Sequence, residues 1–273
     1  MLLQDKLSEL SRQGKALLAT NFYNFETLSG LLQAAAAKNK SVILQLSESS
    51  IHYLGLEIAV AMARAALTHY RVEGWLHLDH GSSIEMVQQC LDAGFDSVMI
   101  DASEKSFAEN VKITSEVVKI ARTYSANVEA ELGYVAKLGQ AQVVNQFTQP
   151  DEASRFVAET GIHALAVAIG SAHGFYKETP MLQLELLEKI HAATPAALVL
   201  HGGSGIPDVQ LRGAIQRGIS KVNLATETKN IFMRSLKNIL SDNEEIDLRK
   251  VFPKATESVK TLIAEKLDVV SPE

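Results

Sequence analysis

Short runs of apolar and β-branched residues alternate along this chain with longer segments whose apolar positions recur at helical spacing. Eight runs read as strands: 17–22, 41–47, 74–80, 97–102, 127–133, 164–170, 197–203 and 221–226. Between them, segments such as 83–93, 107–124, 153–160 and 209–217 carry the helical period, with Ser, Thr or Asp near their starts. Strand and helix patterns in strict alternation predict βα units around a parallel sheet. No linker rich in Pro, Gly or Ser divides the chain, and the unit repeats to the end. The expected fold is therefore α/β, a single (β/α)8 TIM barrel over residues 1–273, with extra helices at the termini.

Two segments stand outside the repeat. Residues 134–150 form a long polar loop after the fifth strand, of the kind that serves as a lid in barrels. The charged tail 241–273 reads as an additional helix, set against the outside of the barrel or against a partner subunit. The amphipathic stretches 2–10 and 256–267 carry the same two readings.

In such a barrel the site is built from the carboxyl ends of the strands and the loops after them. Here nearly every strand ends in a reactive side chain. The first ends at Asn21, with Asn24 just beyond, the second at Ser47, the third at Asp79 and His80, and the fourth at Asp101. The fifth ends at Glu131, the loop after the sixth carries His173, the seventh ends at His201, and the eighth carries Asn223 and Thr226. Three neutral imidazoles, His80, His173 and His201, would hold a divalent metal of zinc type and keep one position open for a substrate oxygen. Asp79 and His80 are adjacent, so a regular strand would send them to opposite faces; the end of a strand is where that alternation breaks. His77 shares the parity of Asp79 and reads as a core or orienting group. The histidines at 52, 69, 163 and 191 read as surface or core residues.

Glycines add a second element. The segments Ala172-His173-Gly174 and 201–205 (HGGSG) allow a backbone to approach an anion closely, and Asn223, Ala225 and Thr226 supply donors where the eighth helix begins. Loops seven and eight are where barrels of this kind hold phosphate.

Composition narrows the partners. A net charge of −6 and a pI near 5.8 argue against nucleic acid or an anionic membrane held through a broad basic surface. The single cysteine, Cys90, cannot form an internal disulfide, no apolar run is long enough to span a bilayer, and the opening residues resemble no signal peptide. A cytoplasmic protein is the expectation.

The segments LHLDHGSS at 76–83, VMIDAS at 98–103, VEAELG at 128–133, GSAHGFY at 170–176, LVLHGGSGIP at 198–207 and KVNLATE at 221–227 stand in the order of the class II ketose-bisphosphate aldolases. The chain resembles that family, which includes the fructose- and tagatose-bisphosphate enzymes, from about residue 21 to about 240. The resemblance implies zinc-dependent, reversible aldol cleavage to dihydroxyacetone phosphate and an aldehyde. It implies zinc ligation by His80, His173 and His201, and an acid/base role for Asp79. Asp101 and Glu131 match positions that bind a second, displaced metal in some members. Asn21 and Ser47 fall among the expected substrate contacts, and Gly174, Gly202, Gly203, Ser204, Asn223, Ala225 and Thr226 match the phosphate cradle. A monovalent cation (Na+ or K+) near that phosphate and a homodimeric or homotetrameric assembly are also implied.

Two departures mark the sequence. Many relatives place a Gly-Gly pair and acids in the loop after the fifth strand, one acid moving a proton of the enediolate, whereas no acid stands between Leu132 and Asp151 here. Several relatives place an arginine for the far phosphate near the carboxyl end, whereas this chain has Arg249 and Lys254 in that region. Three readings follow: an aldolase acting on fructose or tagatose bisphosphate, the same chemistry on another ketose phosphate, or a sugar-phosphate-binding protein without catalysis.

Overall fold

The computed structural model describes residues 1–133, 147–176, 178–241 and 244–272. Among these residues eight parallel strands close into a barrel in sequence order: β1 (Leu17–Asn21), β2 (Val42–Ser47), β3 (Gly74–Gly81), β4 (Ser97–Ile100), β5 (Asn127–Leu132), β6 (Ala164–Val167), β7 (Ala197–Leu200) and β8 (Ile219–Leu224). Helices α2 (Phe25–Lys38), α5 (Ile84–Asp92), α6 (Phe107–Arg122), α7 (Pro150–Thr160), α8 (Leu184–Ala193), α9 (Asp208–Ile215) and α10 (Thr226–Leu240) follow seven of the strands. After β2 the chain instead makes two helices, α3 (Glu48–Leu54) and α4 (Leu56–Tyr70). They meet at 92° at Gly55, which takes φ +84° and so turns the chain without a Cβ penalty. The expected strands are all present, several of them shorter at the carboxyl end, because residues there leave the ladder to form the rim. Of the lid expected at 134–150, residues 134–146 lie outside the described residues, and Pro150 already opens α7 at its first position.

Strand residues alternate between two environments. Leu76 and Leu78 of β3 join the apolar layer between sheet and helices, while Trp75 faces into the barrel with Leu17, Ala19, Ile43, Ala164, Ala166 and Val199. Helix α1 (Leu3–Arg12) closes this amino-terminal end, with Leu3, Leu7 and Leu10 buried in the same cluster and Met1 accepting a hydrogen bond from the Trp75 indole at 3.2 Å. Helix α11 (Leu248–Val270) packs against α2 and α10, burying Val259, Ile263 and Leu267. Gly30 of α2 permits that approach, since a Cβ there would lie 2.7 Å from the Thr256 carbonyl oxygen. Both amphipathic terminal stretches thus cover their own barrel. No single helix among the described residues is long and apolar enough to cross a membrane.

Candidate active site

All strands being parallel, their carboxyl ends share one rim. On β3 the inward parity carries Trp75, His77 and then Asp79. His80 breaks the alternation: it takes φ +53°, and the pairing with β4 shifts register between Leu78 and Gly81. A left-handed non-glycine residue costs about 1–2 kcal/mol. What it achieves is that neighbouring side chains, Asp79 and His80, both reach the mouth. Asp101, just past the end of β4, holds the turned ring, its Oδ2 lying 2.7 Å from His80 Nδ1, and its other oxygen accepts from the Ser103 hydroxyl at 2.7 Å.

The three rim histidines converge. Ring centroids are 5.0 Å apart for His80 and His173, 4.8 Å for His80 and His201, and 5.7 Å for His173 and His201. One donor atom each from His80, Glu131, His173 and His201 lies within 4.8 Å of the others. With Nδ1 held by Asp101, His80 Nε2 is buried without a hydrogen-bond partner and is the nitrogen left for the centre. His201 is held at the opposite nitrogen: its Nε2 lies 2.8 Å from Glu129 Oε1, and its Nδ1 stands 3.1 Å from Glu131 Oε2. Three imidazoles and one carboxylate, with a buried imidazole nitrogen left over, are a donor set that fits a divalent metal. Asp101 stands behind His80 and outside this group of four, so the two carboxylates paired in the sequence reading fall into different positions.

The electrostatics are those of a cation site. Burial lowers the His201 pKa, but Glu129 and Glu131 outweigh it and carry it up to about 10. The field that favours a proton there is the field a bound cation would feel. Burial and the neighbouring rings His201 and His80 push His173 down to about 3, keeping it neutral. For Asp79 burial works to raise the pKa, yet His80, His201 and the hydrogen bond from Asn21 hold it below the usual carboxylate range. Asn21 Nδ2 donates to Asp79 Oδ2 at 2.9 Å, and Asn223 Nδ2 approaches Oδ1 at 3.4 Å.

Beside the histidines a cavity is lined by Asn21, Asp79, His173, Gly174, Gly202, Ser204, Asn223, Ala225 and Thr226. Gly202 takes φ +68°, and a Cβ there would collide with the Ala172 carbonyl, so the HGGSG turn requires glycine at that position. Gly203 lies behind the cavity wall, its N–H donating to the Asn223 carbonyl at 3.0 Å. Ser47 is not in the cavity: it stands in register with Asp79, but its hydroxyl caps α3 by accepting from the Ser50 N–H at 3.4 Å. Arg249 is 90% exposed and forks onto Asp247 of its own turn, both contacts at 3.0 Å.

Sequence reasoning gave no role to several residues that build this rim. The Tyr176 hydroxyl accepts from the Ala172 N–H at 2.7 Å and donates to the Gly202 carbonyl at 2.9 Å, tying the loop after β6 to the loop after β7. Glu227 accepts from the Gly205 N–H at 2.6 Å and its own N–H donates to Ser204 Oγ at 3.2 Å, fixing the glycine turn to the start of α10. Glu129 and Lys221 were passed over as strand residues, and both are buried in the barrel. The quoted motifs contain all four, but their partners come from distant strands and loops. His77 proves to be an interior group with its Nδ1 2.7 Å from Ser97 Oγ.

Comparison with known proteins agrees with this geometry. The family model described as "Fructose-bisphosphate aldolase class-II" matches residues 2–273. A fructose-bisphosphate aldolase of Geobacillus stearothermophilus is 39% identical, over 97% of this chain and 94% of that protein. Among solved structures, the YdjI aldolase from Escherichia coli K12 superposes with a TM-score of 0.87 at 30% identity, covering 98% of this chain and 96% of that one. A putative fructose-1,6-bisphosphate aldolase from Coccidioides immitis gives 0.90 at 27% identity, covering 99% and 96%. The histidine and glutamate cluster is what a metal-dependent lyase of this kind requires. The chain belongs to the class II fructose-bisphosphate aldolase family.

Proposed function

We propose that this aldolase is zinc-dependent and cleaves a ketose 1,6-bisphosphate, fructose or tagatose bisphosphate, reversibly to dihydroxyacetone phosphate and glyceraldehyde 3-phosphate. The observation that carries this reading is the meeting of four metal-donor side chains with Asp79 and a glycine-walled cavity at one rim. His80, His173 and His201 would hold the zinc, with Glu131 beside them as an alternative donor and Asp101 orienting His80. Zinc bound there supplies a Lewis acid for the negative charge that develops on the ketose half as the C3–C4 bond breaks.

The chain's own groups do the rest. Asp79 accepts the proton of the C4 hydroxyl, and the side chains of Asn21 and Asn223 hold its carboxylate in place for that transfer. Gly174, Gly202, Ser204, Asn223, Ala225 and Thr226 would grip the phosphate on C1, with Gly203 bracing the turn from behind and the amino end of α10 adding its N–H groups and dipole. That grip fixes the distance between C4 and Asp79. A sodium or potassium ion would sit beside the same phosphate. Ser47, at the β2 end of the rim, faces the aldehyde half in this reading. The domain is the whole chain, the protein works in the cytoplasm, and it assembles as a homodimer or homotetramer.

Cleavage measured over a panel of ketose mono- and bisphosphates tests the substrate. A kcat/KM for fructose or tagatose 1,6-bisphosphate at least tenfold above that for the monophosphates supports the proposal. Preference for a monophosphate or another ketose phosphate overturns the substrate and leaves the chemistry. Binding of dihydroxyacetone phosphate without exchange of its C3 methylene proton, in zinc-loaded protein, overturns catalysis altogether.

A further inference from the structure

The barrel interior beneath the rim histidines holds a chain of buried charged and polar groups that meets the lining of the substrate cavity only where Gln45 lies against Asp79 and Asn223. Glu129 is fully buried between two donors: Oε1 lies 2.8 Å from His201 Nε2, and Oε2 lies 2.6 Å from Lys221 Nζ. Lys221 also lies 3.2 Å from His77 Nε2, and Gln45, with its amide turned to donate to the Ala19 carbonyl, accepts from Lys221 at 3.3 Å. An ammonium only donates, so each of its three protons has an acceptor here, and His77 must present a lone pair at Nε2. The Nδ1–H of His77 then donates to Ser97 Oγ. With Lys221 occupying Oε2, Oε1 of Glu129 is left to accept from His201 Nε2, so a metal that displaces one proton of the ring would displace the one on Nδ1, beside Glu131, and leave Nε2 protonated.

This pair is not explained by stability. A buried ion pair contributes little against apolar residues of equal volume, and the next layer down, with Leu17, Ile43 and Trp75, is packed in that apolar way. What the pair does that leucines cannot is address one nitrogen of one ring.

Resting on the metal reading above, we propose that Glu129, charge-paired across the barrel with Lys221, is a positioning residue that fixes the tautomer and orientation of His201, so that Nδ1 is the nitrogen offered to the metal. The carboxylate acts on the ligand, and the lysine acts on the carboxylate.

Two variants separate this from a structural role. Glu129→Gln keeps a neutral acceptor for His201 but leaves Lys221 without its counter-charge; Glu129→Leu combined with Lys221→Met removes the acceptor and both charges together. The readouts are the zinc dissociation constant, by competition with a chelator, and the melting temperature of metal-free protein. Zinc binding is expected to weaken about tenfold in the glutamine variant and about a hundredfold in the double variant, the range for loss of such supporting contacts. Melting temperature should run the other way, lowest in the glutamine variant and near the original in the double variant. Opposite rankings support the proposal; zinc affinity that follows melting temperature, or a double variant that binds zinc like the original protein, overturns it. Nitrogen NMR of the histidines in unaltered, zinc-loaded protein decides the matter independently of any variant's folding. A proton on His201 Nε2 with the metal at Nδ1 is expected, and the reverse overturns the proposal. An unaltered protein that takes up no zinc fails at the earlier step and overturns the metal reading along with this one.

Discussion

The two ends of this barrel's interior are built by opposite rules. Toward the amino ends, Leu17, Ala19, Ile43, Trp75, Ala164, Ala166 and Val199 form a dry plug sealed by α1. Toward the carboxyl ends, β1, β2 and β3 turn polar with Asn21, Gln45, His77 and Asp79, joined by Glu129 and Glu131 of β5, Lys221 of β8 and His201 just past β7, all buried. On β3 the change takes two residues, from Trp75 to His77. The lower end is held by apolar burial, which is tolerant of detail and indifferent to pH. The upper end places charges out of water, where each must meet a partner in one geometry. The lesson is a division of labour along one sheet: the apolar plug offsets the cost of an interior in which buried polar groups must find partners among themselves.

That contrast can be broken by substitution at either end. The largest effect is expected from Asp79→Ala, which removes the proton acceptor and should lower kcat by about 10²–10⁴-fold while zinc content is retained. Near-normal turnover in that variant would remove Asp79 from the mechanism. Leu7→Ala, at the sealed end, should cost about 2–5 kcal/mol of stability in urea unfolding and leave the zinc dissociation constant unchanged. A change in zinc affinity there would show that the two ends are coupled.

A smaller effect concerns pH. Burial and Lys221 push the His77 pKa down from 6.5 to about 3, so below pH 6.5 the unfolded chain binds a proton that the folded chain refuses. This contribution is absent above pH 6.5 and destabilises progressively as pH falls toward 3, by at most about 1.4 kcal/mol per pH unit. Metal-free protein should therefore lose urea resistance between pH 6.5 and 4, and His77→Gln should lose it less steeply. Equal slopes would mean that His77 is protonated in the fold.

Much of this was legible in the chain itself. Nearly every strand run ends in a polar side chain or is followed closely by one, and a barrel gathers strand ends, so Asp79, His80, Glu131, His173, His201 and Asn223 could be assembled on paper. The orientation of Asp79 relative to His80 could not, because it depends on one positive φ and one register shift. Glu129 and Lys221 escaped for another reason. They sit on β5 and β8, which do not pair, and their contact crosses the barrel; no local pattern signals it. Ser47 stands at the end of β2 level with Asp79, as its position in the sequence suggests, but its cap on α3 was not legible, because it depends on the bent pair of helices that follows. The terminal helices carried two equal readings in sequence, and packing against β7, β8, α2 and α10 decided between them.

The central claim is that the rim histidines hold a zinc on which cleavage of a ketose phosphate depends. It is tested most directly by stripping the protein with a chelator and titrating zinc back while fructose 1,6-bisphosphate cleavage is followed. The account predicts loss of cleavage on stripping and recovery in proportion to zinc, saturating at one equivalent per chain, with no recovery when His80, His173 or His201 is replaced by alanine. Cleavage that survives complete removal of metal, or that zinc restores equally in those variants, would contradict it.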